Sequence, residues 1–200
     1  MTSKACFTLL SLKLDSEGNL LKKHSKKITP KTFILDVDGV LNTGQFLYSK
    51  TGKVMKIFGP DDNDALSLLK PYLKILFVSG DRKGFPITKK RIVDDMKFDL
   101  HLVSTIKRID WIKKHFSPET VIYMGDGIFD KYVFESVGYS IATTNSDFSA
   151  KKAASFVTKR GGGERAVSEA CLHILEKFFE PFNPKKFSES GIKVSGEWNG

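Results

Sequence analysis

Short apolar runs alternate with amphipathic segments over most of this 200-residue chain. Three of the runs, residues 33–37, 75–78 and 121–124, end at or directly before an acidic or hydroxyl-bearing turn. Uninterrupted apolar runs of four or five residues are typical of strands that are buried on both faces. Segments with helical spacing of apolar residues follow, most clearly over residues 164–179. The alternation predicts an α/β fold, a Rossmann-like parallel sheet with helices on both faces.

The segment after the first strand has a different pattern. Residues 45–48 and 54–58 flank a Gly-containing turn, which predicts a β-hairpin insertion and leaves no room for a large cap domain. The remaining pattern predicts helices near residues 62–70, 86–96, 106–116, 130–137 and 148–154. We divide the chain into an N-terminal extension (1–30) with a strand near residues 7–14, one domain (31–180) and a flexible tail (181–200).

Composition narrows the class of protein. Hydrophobic residues make up 40% of the chain and no apolar run is long enough to span a bilayer, so we expect no membrane partner. The two cysteines are far apart, which argues against a disulfide scaffold and is consistent with a cytoplasmic protein. The net charge is +9, but the basic residues form no dense tract and no nucleic-acid-binding motif, so we favour attraction of a small phosphorylated anion over nucleic acid.

Acidic residues follow two of the predicted strands. Asp36 and Asp38 end the first run and precede Gly39, and Asp126 follows the third. Ligands of parallel α/β sheets bind at the carboxyl ends of the strands, where these side chains are expected to meet. Clustered carboxylates repel each other unless a cation binds them, and Mg²⁺ prefers such oxygen ligands. The pattern predicts a Mg²⁺ site in which a carboxylate attacks phosphorus.

Two further positions suit a phosphate group. Ser79 and Gly80 follow the second strand, where a hydroxyl and a backbone N–H are available to a phosphoryl oxygen. Lys107 lies near the start of a predicted helix and is placed to supply positive charge to the transferring group. Each of these features alone is also typical of an ordinary turn or a surface lysine, so they gain weight only together.

The strings FILDVDGVLNTG, VSGD and MGDGIFD, with Lys107 between the last two, resemble in order and spacing the four motifs of the haloacid dehalogenase-like phosphohydrolases. The hairpin, the string KIFGPDDNDAL and the string GGGERAVSEAC resemble more closely the small capless phosphatases of 3-deoxy-D-manno-octulosonate 8-phosphate and of nonulosonate 9-phosphates. The resemblance covers about residues 31–180.

The resemblance implies a role for each matching residue. Asp36 is expected to be the nucleophile and a Mg²⁺ ligand, Asp38 the general acid/base with its backbone carbonyl on the metal, and Asp126 the third protein ligand. The phosphoryl group is expected on Ser79 and Lys107. Asp130 would orient Lys107 or a metal-bound water. The substrate side would hold Thr43, Asp62 and Gly80, and the hairpin would help build a homotetramer.

The chain departs from this pattern at two positions. Asp81 stands where the phosphatases usually carry Arg, and Gly127 stands where they usually carry a second Asp. The first change removes a basic group near the pocket, so it bears on the substrate. The second leaves Asp126, the expected metal ligand, in place.

Three other functions fit parts of the pattern. A signalling receiver domain also forms an aspartyl-phosphate, but it lacks a proton-transfer residue such as Asp38 two positions after the nucleophile, and it would not turn over p-nitrophenyl phosphate. A non-catalytic assembly or regulatory module would have kept the fold without activity. A phosphosugar mutase would use the same chemistry, although the absence of a large cap argues against it.

Overall fold

The computed structural model of the protein describes residues 28–187. Most of the predicted N-terminal extension, including the strand expected near residues 7–14, and the last part of the predicted tail lie outside the described residues. Residues 184–187 form a short helix within the segment that was predicted to be a tail. In the described part of the chain, no helix has the length and apolar character needed to span a bilayer.

Six parallel strands form the main sheet in the order β5-β4-β1-β6-β7-β8. Their bounds are β1 (Thr32–Asp36), β4 (Lys74–Ser79), β5 (Asp99–Leu102), β6 (Val121–Gly125), β7 (Tyr139–Ala142) and β8 (Phe156–Val157). The chain runs from β1 outward to β4 and β5, and then returns to β6 on the other side of β1. This reversal places a crevice at the carboxyl ends of the central strands, the position where doubly wound sheets bind ligands.

Helices cover both faces of the sheet, as the alternating pattern predicts. They are α1 (Asp62–Leu69), α2 (Phe85–Lys89), α3 (Arg108–His115), α4 (Asp130–Phe134), α5 (Phe148–Ala153), α6 (Ala166–Phe178) and α7 (Pro184–Phe187). Two elements differ from the predicted continuous helices. The helix predicted over residues 86–96 continues after α2 as a π-helix (Lys90–Asp95), and α3 is preceded by a 3₁₀ turn (Thr105–Lys107).

The core has one apolar layer on each face of the sheet. Successive residues of a strand point to opposite faces, so Phe33 and Leu35 pack in one layer while Ile34 packs in the other. The first layer joins the sheet to α1, α6 and the π-helix, and the second joins it to α3, α4 and α5. Because the central strands are anchored on both faces, the residues at their carboxyl ends are held rigidly.

A β-hairpin follows the first strand, as predicted. It consists of β2 (Asn42–Ser49) and β3 (Gly52–Phe58), which pair with each other and not with the main sheet. Between β1 and β4 the chain forms only this hairpin and α1, so the expectation of no large cap domain is confirmed. The hairpin exposes six large apolar side chains, which are Phe46, Leu47, Tyr48, Val54, Met55 and Ile57.

Candidate active site

Two of the predicted metal ligands lie at the carboxyl ends of adjacent strands. Asp36 is the last residue of β1, and Asp126 directly follows β6, which pairs with β1. Asp130 begins α4, which packs beside the end of β6. One carboxylate oxygen from each of these three residues lies within 4.8 Å of the others. The structure therefore brings together Asp36 and Asp126 as predicted, and places Asp130 with them.

Gly39 allows this approach. Its φ of +87° lies in the left-handed region, and a Cβ atom at this position would lie 2.0 Å from Oδ2 of Asp126. Any other residue here would both strain the backbone and displace the carboxylate. The glycine of the predicted first motif thus has a steric reason, namely the close approach of the β1 turn to the Asp126 side chain.

Asp130 orders the turn that carries Asp126. Its Oδ2 accepts hydrogen bonds from the backbone N–H groups of Asp126 (2.9 Å) and Gly127 (2.8 Å). Its Oδ1 accepts from the hydroxyl of Tyr123 (2.8 Å) and from Nη1 of Arg108 (3.1 Å). Both oxygens of Asp130 are thus occupied by protein donors, and Lys107, which Asp130 was expected to orient, is not among these donors.

A buried arginine, and not the predicted lysine, pairs with Asp36. Arg108 is 1% exposed, and its Nη1 and Nη2 donate to the two oxygens of Asp36 at 2.7 and 2.8 Å. Lys107 is exposed on the 3₁₀ turn one residue earlier. The structure therefore corrects the placement of the cation, because the side chain that reaches the strand ends belongs to Arg108.

Tyr123 was also missed from the sequence. Its ring is fully buried on β6, and its hydroxyl accepts a hydrogen bond from Nη1 of Arg108 (2.7 Å) while donating to Asp130. A tyrosine in an otherwise apolar strand signals such a contact, because a buried hydroxyl needs a partner. Tyr123 therefore links the arginine that pairs with Asp36 to the carboxylate that orders the Asp126 turn.

Burial and mutual repulsion raise the pKa values of two carboxyls in this group. Burial raises the pKa of Asp126 to about 8, and the nearby Asp36 and Asp130 add to the effect. Burial also raises the pKa of Asp36 to about 6, although the charge of Arg108 opposes the shift. One guanidinium thus faces three carboxylates, which is a set of hard oxygen donors with an excess of negative charge. A divalent cation of the Mg²⁺ type fits both properties.

Asp38 points away from this acidic group toward the hairpin. Its carboxylate accepts hydrogen bonds from Nδ2 of Asn42 (2.7 Å) and from Nζ of Lys56, and its side chain stays 18% exposed. The three-carboxylate group contains no oxygen of Asp38. The structure thus separates the Asp38 side chain from the three-carboxylate group, and the expected proton-transfer role of Asp38 stays a prediction.

The other predicted residues have mixed positions. Ser79 ends β4 beside β1 but is fully buried, and its hydroxyl accepts from the backbone N–H of Asp81 (3.2 Å), while Gly80 is exposed. Asp62 is 2% exposed, and its Oδ1 accepts from the backbone N–H of Ser168 at the start of α6 (2.9 Å). The structure therefore places Asp62 as a cap of α6, turned away from solvent, and not in an open substrate pocket.

Thr43 lines an open cavity of about 200 Å³ beside the β1 turn. Gly161 and Gly162 form part of its wall, and Gly162 packs on that turn, since a Cβ atom on Gly162 would lie 1.9 Å from the carbonyl oxygen of Gly39. The lining offers hydroxyls, amides and one carboxylate, and consists of Thr43, Gln45, Thr144, Asn145, Gly161, Gly162 and Glu164. Such groups suit the hydroxyls of a sugar.

Comparison with known proteins identifies relatives of this arrangement. The sequence pattern of the haloacid dehalogenase-like hydrolases matches residues 86–170. The 3-deoxy-D-manno-octulosonate 8-phosphate phosphatase KdsC of Salmonella typhi is 30% identical over 155 residues, which cover 72% of this chain and 79% of the relative.

Solved structures agree with the sequence match. The cobalt-bound deoxy-D-mannose-octulosonate 8-phosphate phosphatase of Haemophilus influenzae superposes with a TM-score of 0.67 at 28% identity, covering 75% of this chain and 90% of that one. The phosphatase of Moraxella catarrhalis, solved with magnesium, phosphate and KDO, has a TM-score of 0.67 at 22% identity, covering 85% and 98%. The second match supports the fold.

Proposed function

Because this chain belongs to the haloacid dehalogenase-like hydrolases and is a phosphatase, we propose that it hydrolyses a phosphorylated sugar or sugar acid through an aspartyl-phosphate on Asp36. The observation that carries the proposal is the meeting of the Asp36, Asp126 and Asp130 carboxylates with Arg108 at the carboxyl ends of β1 and β6. The relatives that act on octulosonate 8-phosphate support a substrate of this class.

We include Mg²⁺ in the proposal as the cofactor. Asp36 and Asp126 would bind the ion through their side chains and Asp38 through its backbone carbonyl, while Asp130 would hold the Asp126 turn. When bound, the ion neutralises the carboxylates and the oxygens of the phosphoryl group. The Haemophilus influenzae relative was solved in a cobalt-bound form, which supports a metal ion as the cofactor of this chain.

The residues of the chain divide the chemistry between them. An oxygen of Asp36 attacks phosphorus in line, and Arg108 holds that carboxylate by two parallel hydrogen bonds. Asp38 gives a proton to the leaving oxygen of the sugar and later takes a proton from the water that cleaves the aspartyl-phosphate. Arg108 also adds positive charge beside the transferring group, the role that the sequence pattern suggested for Lys107.

The polar cavity supports a sugar as the leaving group. It opens beside Thr43, which follows the turn that carries Asp36 and Asp38. Its hydroxyl and amide groups would bind sugar hydroxyls. A screen of phosphorylated sugars and sugar acids, each with and without Mg²⁺, would identify the substrate.

We extend the proposal to a homo-oligomer, as the resemblance suggests, and to a cytoplasmic location. An isolated two-stranded hairpin is marginally stable alone, and this one exposes six large apolar side chains. Burial of these side chains against the hairpin of another copy would stabilise both. Light scattering would measure the mass in solution and distinguish a tetramer from smaller species.

The Asp36→Asn variant tests the catalytic proposal. We expect p-nitrophenyl phosphate hydrolysis to fall by about a thousandfold or more, because the amide cannot form the acyl-phosphate bond. Asp99→Asn, at an exposed carboxylate of β5, is the matched control and should keep wild-type activity. In acid-quenched reactions of the wild type, mass spectrometry should find one phosphoryl group on the peptide that contains Asp36. Equal hydrolysis by the wild type and Asp36→Asn would contradict the proposal and favour a contaminating phosphatase or a non-catalytic role.

A further inference from the structure

The one residue of hairpin strand β3 that is buried as a whole is a charged one, Lys56. The side chain of Lys56 is 0% exposed, whereas its neighbours Met55 and Ile57 are exposed. Lysine is almost never fully buried unless its ammonium group is paired. The sequence pattern of the hairpin gave no reason to expect this lysine to point toward the domain.

Three acceptor groups surround the Lys56 ammonium. It lies 2.8 Å from Oδ1 and 3.0 Å from Oδ2 of Asp38, 2.9 Å from Oδ2 of Asp81 and 2.8 Å from the hydroxyl of Thr88. An ammonium group has three N–H donors, which matches the three groups that it contacts. Asp81 is itself held by the backbone N–H of Gly84 at 3.0 Å. The position of the nitrogen is therefore fixed from three elements of the fold.

Asn42 holds the same Asp38 carboxylate from a second side. Its Nδ2 donates to Oδ1 of Asp38 at 2.7 Å, and its own Oδ1 accepts from the backbone N–H groups of Gly39 (3.2 Å) and Gly44 (2.7 Å). Asn42 is fully buried. The carboxylate is thus held between an amide from the start of β2 and an ammonium from β3, while 18% of the Asp38 side chain remains exposed.

We propose that Lys56 is a positioning residue, which holds the Asp38 carboxylate where it meets the leaving oxygen, so that the hairpin takes part in the reaction. The inference rests on the proposed function. In the first step the bond from the Asp36 oxygen to phosphorus forms while the bond from phosphorus to the leaving oxygen breaks, and the proton of Asp38 moves to that oxygen. In the second step Asp38 takes a proton from water as the water oxygen attacks phosphorus and releases Asp36.

The proposal predicts a dependence on the leaving group. p-Nitrophenolate departs readily as an anion and needs little help from an acid, whereas phenolate is a poorer leaving group and needs the proton more. Loss of a well-placed general acid lowers rates by about 10²- to 10⁴-fold where the proton is needed. A misplaced Asp38 should therefore slow the hydrolysis of phenyl phosphate more than that of p-nitrophenyl phosphate.

Lys56→Met and Lys53→Met form the matched pair of variants. Both lysines lie on β3 and both pair with Asp81, but only Lys56 contacts Asp38. We expect Lys56→Met to lower kcat for phenyl phosphate by about tenfold more than kcat for p-nitrophenyl phosphate, and Lys53→Met to keep the wild-type ratio. Thr88→Val, which removes one acceptor of Lys56 without touching Asp38, should shift the ratio in the same direction by less.

Asp38→Asn separates the possible failures. If Asp38→Asn shows the leaving-group dependence and neither Lys56→Met nor Thr88→Val does, the positioning role of Lys56 is wrong while the proposed function stands. An equal loss on both esters in Lys56→Met and Thr88→Val would reduce Lys56 to a structural residue. If Asp38→Asn itself leaves the ratio unchanged, or the wild type hydrolyses neither ester, the assignment of Asp38 fails and the inference fails with it.

Discussion

Replacement of Arg108 by Met, with Lys107→Met as its control, separates the two adjacent cations. Arg108 is 1% exposed and bonds to Asp36, Asp130 and Tyr123, whereas Lys107 is exposed. The Arg108→Met change keeps an unbranched apolar stem but removes the only guanidinium bonded to Asp36 among the described residues. The Lys107→Met change removes the same positive charge one residue away, at an exposed side chain. A difference between the two variants therefore measures the effect of the contact between Arg108 and Asp36.

The expected loss of stability follows from burial. Removal of one partner from a buried ion pair costs about 3–5 kcal/mol, because the remaining charge is left without compensation. Protonation limits that cost. The pKa values of Asp36 and Asp126 are already raised, to about 6 and about 8, and loss of Arg108 raises them further. The destabilisation of metal-free Arg108→Met should therefore be larger near pH 8 than near pH 5. Near pH 5 both carboxyls are protonated in the folded state, so neither is a buried charge without a partner. Near pH 8 each carboxyl either stays buried as an unpaired charge or stays protonated and gives up its proton on unfolding, and both outcomes favour the unfolded state.

Urea unfolding and steady-state kinetics provide the assays. For metal-free protein near pH 8 we expect Arg108→Met to lower the free energy of unfolding by about 3–5 kcal/mol, and Lys107→Met to change it by no more than about 0.5 kcal/mol. With Mg²⁺ present, Arg108→Met should lower kcat for p-nitrophenyl phosphate by about 100-fold or more, since it removes both the alignment of Asp36 and a positive charge beside phosphorus.

The two variants can contradict the structure directly. If Lys107→Met lost activity while Arg108→Met kept it, α3 would be rotated by one residue relative to this structure, and the assignment of the cation would be wrong. A loss of stability in Arg108→Met that was larger near pH 5 than near pH 8 would show that the buried carboxyls do not account for the cost.

Two further predictions concern titrating carboxyls. Burial raises the pKa of Asp62 from 3.8 to about 6, so the stabilisation from its protonated form is present below pH 3.8 and is lost as the pH rises through 6. The Asp62→Asn side chain still accepts from the backbone N–H of Ser168, so urea unfolding should show a variant more stable than the wild type above pH 6, and kinetics should show an unchanged kcat/KM. A large loss of kcat/KM would instead place Asp62 in the substrate site. In calorimetry, Mg²⁺ should raise the unfolding temperature more near about pH 8.5 than near about pH 5.5, because Asp36 and Asp126 must release protons to bind it. Equal increases at both pH values would argue for a different metal site. So would an increase in Asp126→Asn as large as that in the wild type.

The sheet and its functional edge could be predicted from local pattern alone. The central strands are short continuous apolar runs, so their identity and the positions of Asp36 and Asp126 at their ends followed from the sequence. The parallel arrangement then required both residues to lie at the same edge. Strand pairing in the structure places β1 directly between β4 and β6, which is the arrangement that brings these ends together.

The identity of the cation could not be predicted in the same way, because it depends on helical phase. Neighbouring residues on a helix point about 100° apart, so only one of Lys107 and Arg108 can face the sheet. Arg108 and Ile112 are the two buried residues of α3, and they lie one helical turn apart. That spacing was present in the sequence, but an arginine was not counted as a buried position, since arginine is rarely buried without a partner.

Asp81 shows why a departure from a family pattern needs the tertiary contacts for its interpretation. From the sequence, an acid in place of the usual Arg only removes a positive charge near the pocket. In the structure, Asp81 pairs with both Lys53 and Lys56 of the hairpin, and these hydrogen bonds help to lower its pKa to about 2 despite partial burial. An Arg at this position would bring a third cation against two lysines whose side chains are buried. Asp81 and the two lysines therefore form a connected network of ion pairs, and Lys56 extends that network to Asp38. The substitution thus ties the hairpin to the residue proposed to transfer protons.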